Sequence, residues 1–267
     1  MATDPLADWK QQQRTMWASF TPMALFTLPV AAHLVRFADI QAGETVLDVG
    51  TGTGVLALTA ARAGAQVTGL DLTPALLLQA RENARIAQYA EIVWTEGDAE
   101  QLPYPDATFD VVLSQFGHMF APRPALVMAE MRRVLKPRGR IAFATWPPEH
   151  MVGRMFAFIG RHAPPPPEGA APPPQWGHPA TISERLGGLF SAPFFARGAM
   201  ALPALSIPHY RLFLEQTIGP MQKLVANLAN TPDKLQQFRA EFEALAADYF
   251  VDNHVHQDYL LTRAQVR

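Results

Sequence analysis

The chain has 267 residues, of which 49% are hydrophobic and 17% charged, and its formal net charge at pH 7 is −2. This composition predicts a globular α/β protein, and the near-neutral charge offers no electrostatic footprint for nucleic acid or an anionic membrane. Cysteine is absent, which excludes disulfides and thiolate metal sites and is consistent with a reducing cytoplasm.

The first 40 residues predict a helical segment. Residues 1–10 lack the pattern of a signal peptide, and no apolar run approaches the ~20 residues that span a bilayer, so we expect a cytoplasmic protein without a membrane span. Apolar residues then recur at helical spacing, and Pro22 separates a first helix from a second over residues 23–38. Trp17 and Phe20 on the first helix are candidates for a lid over a ligand.

Residues 41–146 predict alternating strands and helices. The predicted elements are, in chain order, a strand at 45–49, a helix at 55–63, a strand at 66–70, a helix at 74–89, strands at 91–95 and 109–114, a helix at 124–135 and a strand at 140–145. Such alternation implies a doubly wound, mostly parallel sheet, with ligands beyond the carboxyl ends of its strands.

Residues 147–267 predict the completion of this sheet. A proline-rich connector over 163–174 lies between short helices near 152–161 and 181–190. Strands are expected at 194–201 and 258–266, separated by helices at 209–229 and 232–248. We expect these inserted helices to form a cap that closes the acceptor pocket.

The loop after the first strand carries Gly50, Gly52 and Gly54, which allow a ligand to approach the backbone closely. Val55 breaks the G-x-G-x-x-G dinucleotide pattern, and there is no G-K-[ST] phosphate loop. Asp48 immediately before the loop would repel a phosphate but suits a cationic amino group. A nucleotide phosphate is therefore disfavoured.

Two further carboxylates follow the next two strands. Asp71, 21 residues beyond Gly50, ends the second strand, where it can accept hydrogen bonds from both hydroxyls of a ribose. The alternative is that Asp71 only caps the following helix. Asp98 follows the third strand, with a backbone N–H beside it, where the edge of an adenine can be met.

Several motifs in this order make the chain resemble the class I S-adenosylmethionine-dependent methyltransferases, in particular the small-molecule group that is similar to ubiquinone/menaquinone C-methyltransferases. The resemblance covers about residues 40–146. The motifs are Val46-Leu-Asp-Val-Gly-Thr-Gly-Thr-Gly54, Gly69-Leu-Asp-Leu72, Glu96-Gly-Asp-Ala-Glu-Gln-Leu-Pro-Tyr104, Phe109-Asp-Val-Val-Leu-Ser114 and Arg133-Val-Leu-Lys-Pro-Arg-Gly-Arg140. It implies a Rossmann-like seven-stranded sheet whose last strand is antiparallel. Arg138 departs from the glycine that relatives commonly carry in this turn.

The resemblance also implies the cofactor, S-adenosyl-L-methionine, which leaves as S-adenosyl-L-homocysteine. Asp48 and the glycine loop would hold its methionine part, Asp71 its ribose, and Leu72 its adenine. The complete set of cofactor-binding residues that we expect is Asp48, Gly50, Thr51, Gly52, Gly54, Asp71, Leu72, Asp98, Ala99, Ser114, Gln115 and Trp17.

Methyl transfer from a sulfonium requires alignment and desolvation, so a catalytic residue is optional. His118, after the fourth strand, is the best candidate base, and a histidine that shapes the pocket is the alternative. Tyr104 and Gln115 are weaker candidates for orienting the acceptor. His254 and His256 share a strand face but lack a carboxylate cluster, so we expect no metal.

The acceptor is a small, rather apolar molecule rather than nucleic acid, because the Asn/Asp-Pro-Pro-Tyr motif of nucleobase methylation is replaced by Ser114-Gln-Phe-Gly117. Carbon and oxygen acceptors are not distinguished, and the oligomeric state is open. Two alternative functions are an NAD(P)-dependent Rossmann oxidoreductase, which Val55 and Asp48 disfavour, and a non-catalytic protein that binds S-adenosylmethionine.

Overall fold

The centre of the protein is an eight-stranded sheet. The computed structural model describes residues 6–267. Residues 1–5, which belong to the predicted lid and to the stretch predicted to carry no signal peptide, lie outside the described residues. The strands are β1 (Thr45–Val49), β2 (Gln66–Asp71), β3 (Val93–Glu96), β4 (Phe109–Gln115), β5 (Leu135–Thr145), β6 (Phe194–Pro203), β7 (Phe250–Val251) and β8 (His254–Gln265).

The strand order is β3-β2-β1-β4-β5-β8-β6, and the short β7 pairs only with β8. Neighbours from β3 to β5 are parallel, whereas β8 runs antiparallel to both β5 and β6. The predicted mostly parallel sheet with an antiparallel last strand is therefore confirmed. The two-residue β7 is an eighth strand that the sequence did not indicate.

The order of the sheet places a ligand crevice between β1 and β4. Val46, Leu47 and Val49 of β1 are fully buried, as expected for a central parallel strand covered on both faces. From β1 the chain winds outward to β2 and β3, and it then returns to β4 on the other side. Ligands bind at such a switch point, beyond the carboxyl ends of the strands.

Helices cover both faces of the sheet and its carboxyl edge. The α-helices are α1 (Ala7–Met16), α2 (Thr21–Ala24), α3 (Leu28–Phe37), α4 (Val55–Arg62), α5 (Pro74–Ala87), α6 (Pro124–Val134), α7 (Met151–His162), α8 (Pro179–Leu186), α9 (Ile207–Thr217), α10 (Gly219–Leu228) and α11 (Pro232–Ala247). Helices α9 to α11 form the expected insertion between the last two long strands.

The helical stretch Ala7–Phe37 is long and apolar enough, by length and composition, to cross a membrane, with a mean hydropathy of 1.4 and 39% of its most apolar window buried. The sequence alone predicted no stretch of this kind. Core helices of globular proteins meet the same criterion, and α3 packs its buried residues against the sheet. Two 3₁₀ segments, Trp17–Phe20 and Leu25–Thr27, also divide this stretch into the helices α1, α2 and α3. The criterion alone does not identify a membrane span.

The predicted single helix at 209–229 is two helices, α9 and α10. Pro220 lies in the first turn of α10, where its missing N–H is tolerated but the preceding helix cannot continue through it. Gly219 lies against the end of α1, since a Cβ atom there would be 2.2 Å from the Met16 carbonyl oxygen. The break therefore allows the amino-terminal helix to pack on the cap.

Candidate active site

One cavity opens at the carboxyl ends of β1, β2 and β4, with an empty volume of about 1520 Å³ that includes the solvent at its mouth. Its polar end is formed by the loops that follow these strands. Its other end is formed by the amino-terminal segment, α7 and the cap. The cavity therefore joins the glycine loop to residues contributed from both ends of the chain.

The glycine loop has a left-handed backbone at Gly50, Gly52 and Gly54, with φ of +70°, +56° and +82°. Residues with a Cβ are strained in this region, which explains the three glycines. A Cβ at Gly50 would lie 2.7 Å from the Cα of Gly117, so the loops after β1 and β4 touch through their backbones. Gly52 lines the cavity, and a Cβ there would meet nothing within 4 Å.

Gly54, a predicted cofactor contact, does not reach the cavity lining in the described part of the chain. A Cβ there would lie 2.7 Å from the ring of Trp94, so this glycine makes room for the Trp94 ring beside the start of α4. Thr51, by contrast, lines the cavity and is buried.

Asp48 at the end of β1 is 1% exposed. Its Oδ2 accepts a hydrogen bond of 2.6 Å from the Thr51 hydroxyl, and its Oδ1 is buried with no hydrogen-bond partner among residues 6–267. Burial, together with the nearby charge of Asp71, raises the pKa of this carboxyl to about 7. Asp48 lines the cavity, and a ligand ammonium group beside this buried carboxylate would supply a hydrogen bond and a compensating charge.

Asp71 at the end of β2 organises both the loop and the next helix. Its Oδ2 accepts from the Gly52 N–H at 2.8 Å, and its Oδ1 accepts from the Thr73 N–H at 2.8 Å. The carboxylate therefore fixes the backbone just before α5, and no side chain caps that helix within the described chain. Burial raises the pKa of Asp71. A carboxylate has further lone pairs, so these bonds and ribose binding are compatible, and both Asp71 and Leu72 line the cavity.

Asp98 and Ala99 also line the cavity, and Asp98 binds a residue that the sequence did not indicate. Its Oδ1 accepts from the Glu100 N–H at 2.9 Å, and its Oδ2 accepts from Lys10 Nζ at 2.6 Å. Lys10 also donates to Glu100 Oε2 at 2.6 Å. One turn further on, Arg14 pairs with Glu96 at the end of β3. These ion pairs hold α1 over the loop where the adenine is expected.

Trp17 lies where a lid residue is expected. Its ring lines the cavity and packs against Phe120, with the ring centroids 4.6 Å apart. The indole Nε1 donates to Gln13 Oε1 at 3.0 Å. The amino-terminal segment therefore contributes directly to the wall of the site.

Ser114 and Gln115 differ in their placement. Ser114 is buried outside the cavity lining, where its hydroxyl donates to the Val49 carbonyl oxygen at 2.6 Å and accepts from the His118 N–H at 3.1 Å. It joins β1 to the loop after β4 and does not face a ligand. Gln115 lines the cavity, with its Nε2 donating to the Thr27 carbonyl oxygen and its Oε1 lacking a partner in the described chain.

The His118 imidazole lies in the core. It packs against Phe143 and Trp176, with ring centroids 4.6 and 4.7 Å away, and neither ring nitrogen has solvent access or a hydrogen-bond partner in the described structure. Burial, with a smaller contribution from Arg185, lowers its pKa to about 3. This environment suits the alternative, a histidine that shapes the pocket. Tyr104 lies outside the cavity and packs on Phe109.

The end of the cavity opposite the glycine loop has apolar walls, and we term it the apolar chamber. Its walls are formed by Phe20, Met23, Phe116, Trp146, Val152, Met155, Phe156, Met200, Leu214 and Ile218. Two polar side chains, Tyr210 on α9 and Gln257 on β8, also line it. Sequence patterns indicated the elements that carry these residues but not that they converge.

No group of three or more His, Cys, Asp or Glu side chains within residues 6–267 is arranged to hold a metal ion. His254 and His256 lie in β8 with no such cluster around them.

Comparisons with known proteins agree with this geometry. Residues 47–143 match the domain family described as "Methyltransferase domain". An uncharacterised protein of Mycobacterium tuberculosis is 33% identical over 256 residues, which cover 94% of this chain and 93% of the relative. A demethylmenaquinone methyltransferase of Tropheryma whipplei is 42% identical over 108 residues, or 40% of this chain and 43% of that protein.

Among solved structures, a phosphoethanolamine N-methyltransferase of Haemonchus contortus in complex with S-adenosyl-L-methionine has a TM-score of 0.53 and 19% identity. The similarity covers 86% of this chain and 50% of that one. At this identity the likeness concerns the fold. Together the comparisons confirm the resemblance found in the sequence, the Rossmann-like fold and the cofactor, S-adenosylmethionine.

Proposed function

Because the chain belongs to the S-adenosylmethionine-dependent methyltransferase family, we propose that it methylates a carbon or oxygen atom of a small, rather apolar molecule. The observation that supports this acceptor class is the continuity of the cavity. The glycine loop and three carboxylates form one end, and the other end is the apolar chamber. A polar macromolecular acceptor would gain little from such walls.

The residues at the polar end fit the parts of the cofactor. Asp48 Oδ1 would accept the methionine ammonium, and the open space at Gly52 would admit the amino-acid part of the cofactor. Asp71 would accept the ribose hydroxyls, while Leu72 and Ala99 would contact the adenine. When bound, the cofactor supplies a methyl group on a sulfonium that leaves as a neutral thioether.

The chain's own contribution is alignment and exclusion of water. Trp17 and Phe120 close one side of the site, and the walls of the apolar chamber leave few polar groups to retain solvent. A base role for His118 would require its ring to leave the contact with Phe143 and Trp176. We therefore assign catalysis to positioning, with His118 as part of the wall.

The proposed function also assigns a role to each of three segments of the chain. We propose residues 1–40 as a lid, 41–146 as the cofactor-binding core and 147–267 as the acceptor cap with the end of the sheet. We further propose a cytoplasmic enzyme that does not act on nucleic acid. The name of the Tropheryma whipplei relative indicates a demethylmenaquinone acceptor, which supports an apolar substrate here.

The test is a screen of small apolar metabolites with methyl-labelled S-adenosylmethionine, with Asp71→Ala as the variant expected to lose cofactor binding. Labelled product from an apolar acceptor supports the proposal. Calorimetry with S-adenosylhomocysteine and with NAD(P) separates the alternatives. Binding of NAD(P) alone would contradict the assignment, and binding of S-adenosylhomocysteine without any turnover would favour a non-catalytic role.

A further inference from the structure

We infer that Tyr210 and Gln257 form an oxygen-binding subsite in the apolar chamber, which selects acceptors that carry a hydroxyl or carbonyl oxygen over hydrocarbons of the same shape. The inference rests on the proposed function, because the chamber is the acceptor site only if the chain methylates a molecule bound there. It adds a chemical group that this acceptor must carry and the two residues that recognise it.

The two side chains meet inside the chamber although they are 47 residues apart. Gln257 Nε2 donates a hydrogen bond of 2.9 Å to the Tyr210 hydroxyl oxygen. Tyr210 is 2% exposed and Gln257 3% exposed. On its other side the Tyr210 ring stacks on Phe242, with the centroids 6.1 Å apart. The amide and the stacked ring therefore hold the hydroxyl in one place.

Among residues 6–267, the hydrogen of this hydroxyl has no hydrogen-bond acceptor. A phenol can accept and donate, and here the amide occupies the accepting side. The hydrogen bond that the hydroxyl makes within the described chain is the one that it accepts from Gln257. Burial raises the pKa of Tyr210, so the hydroxyl keeps this hydrogen at neutral pH. A buried donor without an acceptor is costly, and an oxygen atom on a bound ligand would satisfy it.

The surroundings make the subsite selective. Met200 is the cross-strand neighbour of Gln257, and Leu214 lies one turn beyond Tyr210 on α9. Both line the chamber with apolar atoms, so they offer no alternative acceptor. A hydrocarbon in the chamber would leave the donor unpaired, whereas an oxygenated molecule would pair it. Sites built around a buried hydrogen-bonding group discriminate strongly against ligands that lack the partner.

The experiment measures equilibrium binding and needs no turnover. The probes are 1-naphthol and 1-methylnaphthalene, which have the same ring system and differ in one oxygen. Each is titrated into the protein saturated with S-adenosylhomocysteine, with tryptophan fluorescence as the signal, since Trp146 lines the chamber. The variants are Tyr210→Phe and Gln257→Met, and the matched control is Tyr104→Phe, which removes a phenol hydroxyl outside the cavity.

We expect the wild type and Tyr104→Phe to bind 1-naphthol about tenfold more tightly than 1-methylnaphthalene, as one hydrogen bond allows. Tyr210→Phe should lose this preference while its affinity for 1-methylnaphthalene stays within about twofold, a result that general damage to the fold would not give. Gln257→Met should reduce the preference. An unchanged preference in Tyr210→Phe would overturn the inference. The same holds if the wild type binds the two probes with equal affinity or binds neither of them.

The same titrations separate this inference from the proposed function. If the protein does not bind S-adenosylhomocysteine, the proposed function fails, and the two probes are then compared on the unliganded protein. If S-adenosylhomocysteine binds but the preference for 1-naphthol is absent or is independent of Tyr210, only the oxygen-binding subsite is wrong.

Discussion

Lys10 Nζ lies 2.6 Å from Asp98 Oδ2, which ties the first helix to the loop after β3 across 88 residues of sequence. The Lys10 side chain is 10% exposed, and its second partner, Glu100, is 1% exposed. Ion pairs with so little exposure are screened less by salt than surface pairs. The position of α1 over the loop that follows β3 is therefore held by charges that are largely withdrawn from solvent.

The first prediction concerns this contact. Lys10→Met keeps the length of the side chain but removes the ion pairs with Asp98 and Glu100. The proposed lid should therefore open more readily, and S-adenosylhomocysteine should dissociate about 3- to 10-fold faster in stopped-flow measurements. Glu100 keeps Arg123, whose Nε lies 2.8 Å from its Oε2, so it is not left uncompensated. The control is Arg85→Met, which removes an exposed pair with Glu82 and should leave the rate unchanged. An unchanged rate in Lys10→Met would show that these pairs do not hold the lid.

The second prediction concerns the pH dependence of cofactor binding. With a pKa of about 7, Asp48 is ionised in about a tenth of the free molecules at pH 6 and in most of them at pH 8. Because a ligand ammonium requires the ionised form, the dissociation constant of S-adenosylhomocysteine should be about tenfold higher at pH 6 than at pH 8. Calorimetry at the two pH values measures the dissociation constants. Near pH 7, binding should also release protons, because Asp48 ionises when the ligand binds. Asp48→Asn should bind more weakly and lose the pH dependence.

The third prediction follows from the same carboxyl group in the absence of ligand. The pKa of Asp48 is raised above its unfolded value of 3.8, so the folded protein retains a proton that the unfolded chain releases. The contribution of Asp48 to stability should therefore fall as pH rises from about 4 to about 7. Denaturant unfolding of the unliganded proteins should show that the wild type loses free energy of unfolding relative to Asp48→Asn as the pH rises across this range. A difference independent of pH would contradict the raised pKa.

The fourth prediction compares two glycines of the loop. Both have a left-handed backbone, so alanine at either position costs about 1–2 kcal/mol of stability. Gly52→Ala has open space for the methyl group, so the protein should fold but lose binding of S-adenosylhomocysteine. Gly50→Ala would place its Cβ 2.7 Å from the Cα of Gly117, and it should lower Tm well beyond Gly52→Ala. Thermal unfolding and calorimetry on the pair test this, and tight binding by Gly52→Ala would contradict the placement of the cofactor.

The fifth prediction concerns His118. Since its pKa is lowered to about 3 and its ring nitrogens are closed off from solvent, its titration should not appear in the rate between pH 6 and pH 8. His118→Ala should keep the shape of the pH–rate profile with the identified acceptor, and it should lose about 1–3 kcal/mol of stability because it leaves a cavity beside Phe143 and Trp176. Loss of a limb of the profile near neutral pH would instead support the base role.

Local patterns in the sequence were sufficient for the sheet and for the polar end of the site. The strand at Thr45–Val49, the left-handed glycines that follow it and the bonds from Asp48 to Thr51 and from Asp71 to Thr73 involve neighbours within a few residues. Buried parallel strands, left-handed turns and strand-end carboxylates leave such short-range signals because backbone geometry demands particular residue types. Through the family resemblance that these motifs carry, they also imply the cofactor.

The lid contact of Lys10, the burial of His118 and the pairing of Tyr210 with Gln257 leave no such signal. Each depends on elements far apart in the chain that come together only when the apolar faces of the helices pack on the sheet. A lysine, a histidine or a tyrosine on an amphipathic helix or loop has the same local pattern whether it faces solvent, core or ligand. Packing therefore determines the walls of the apolar chamber and the burial of His118, while local sequence patterns determine the glycine loop and its carboxylates.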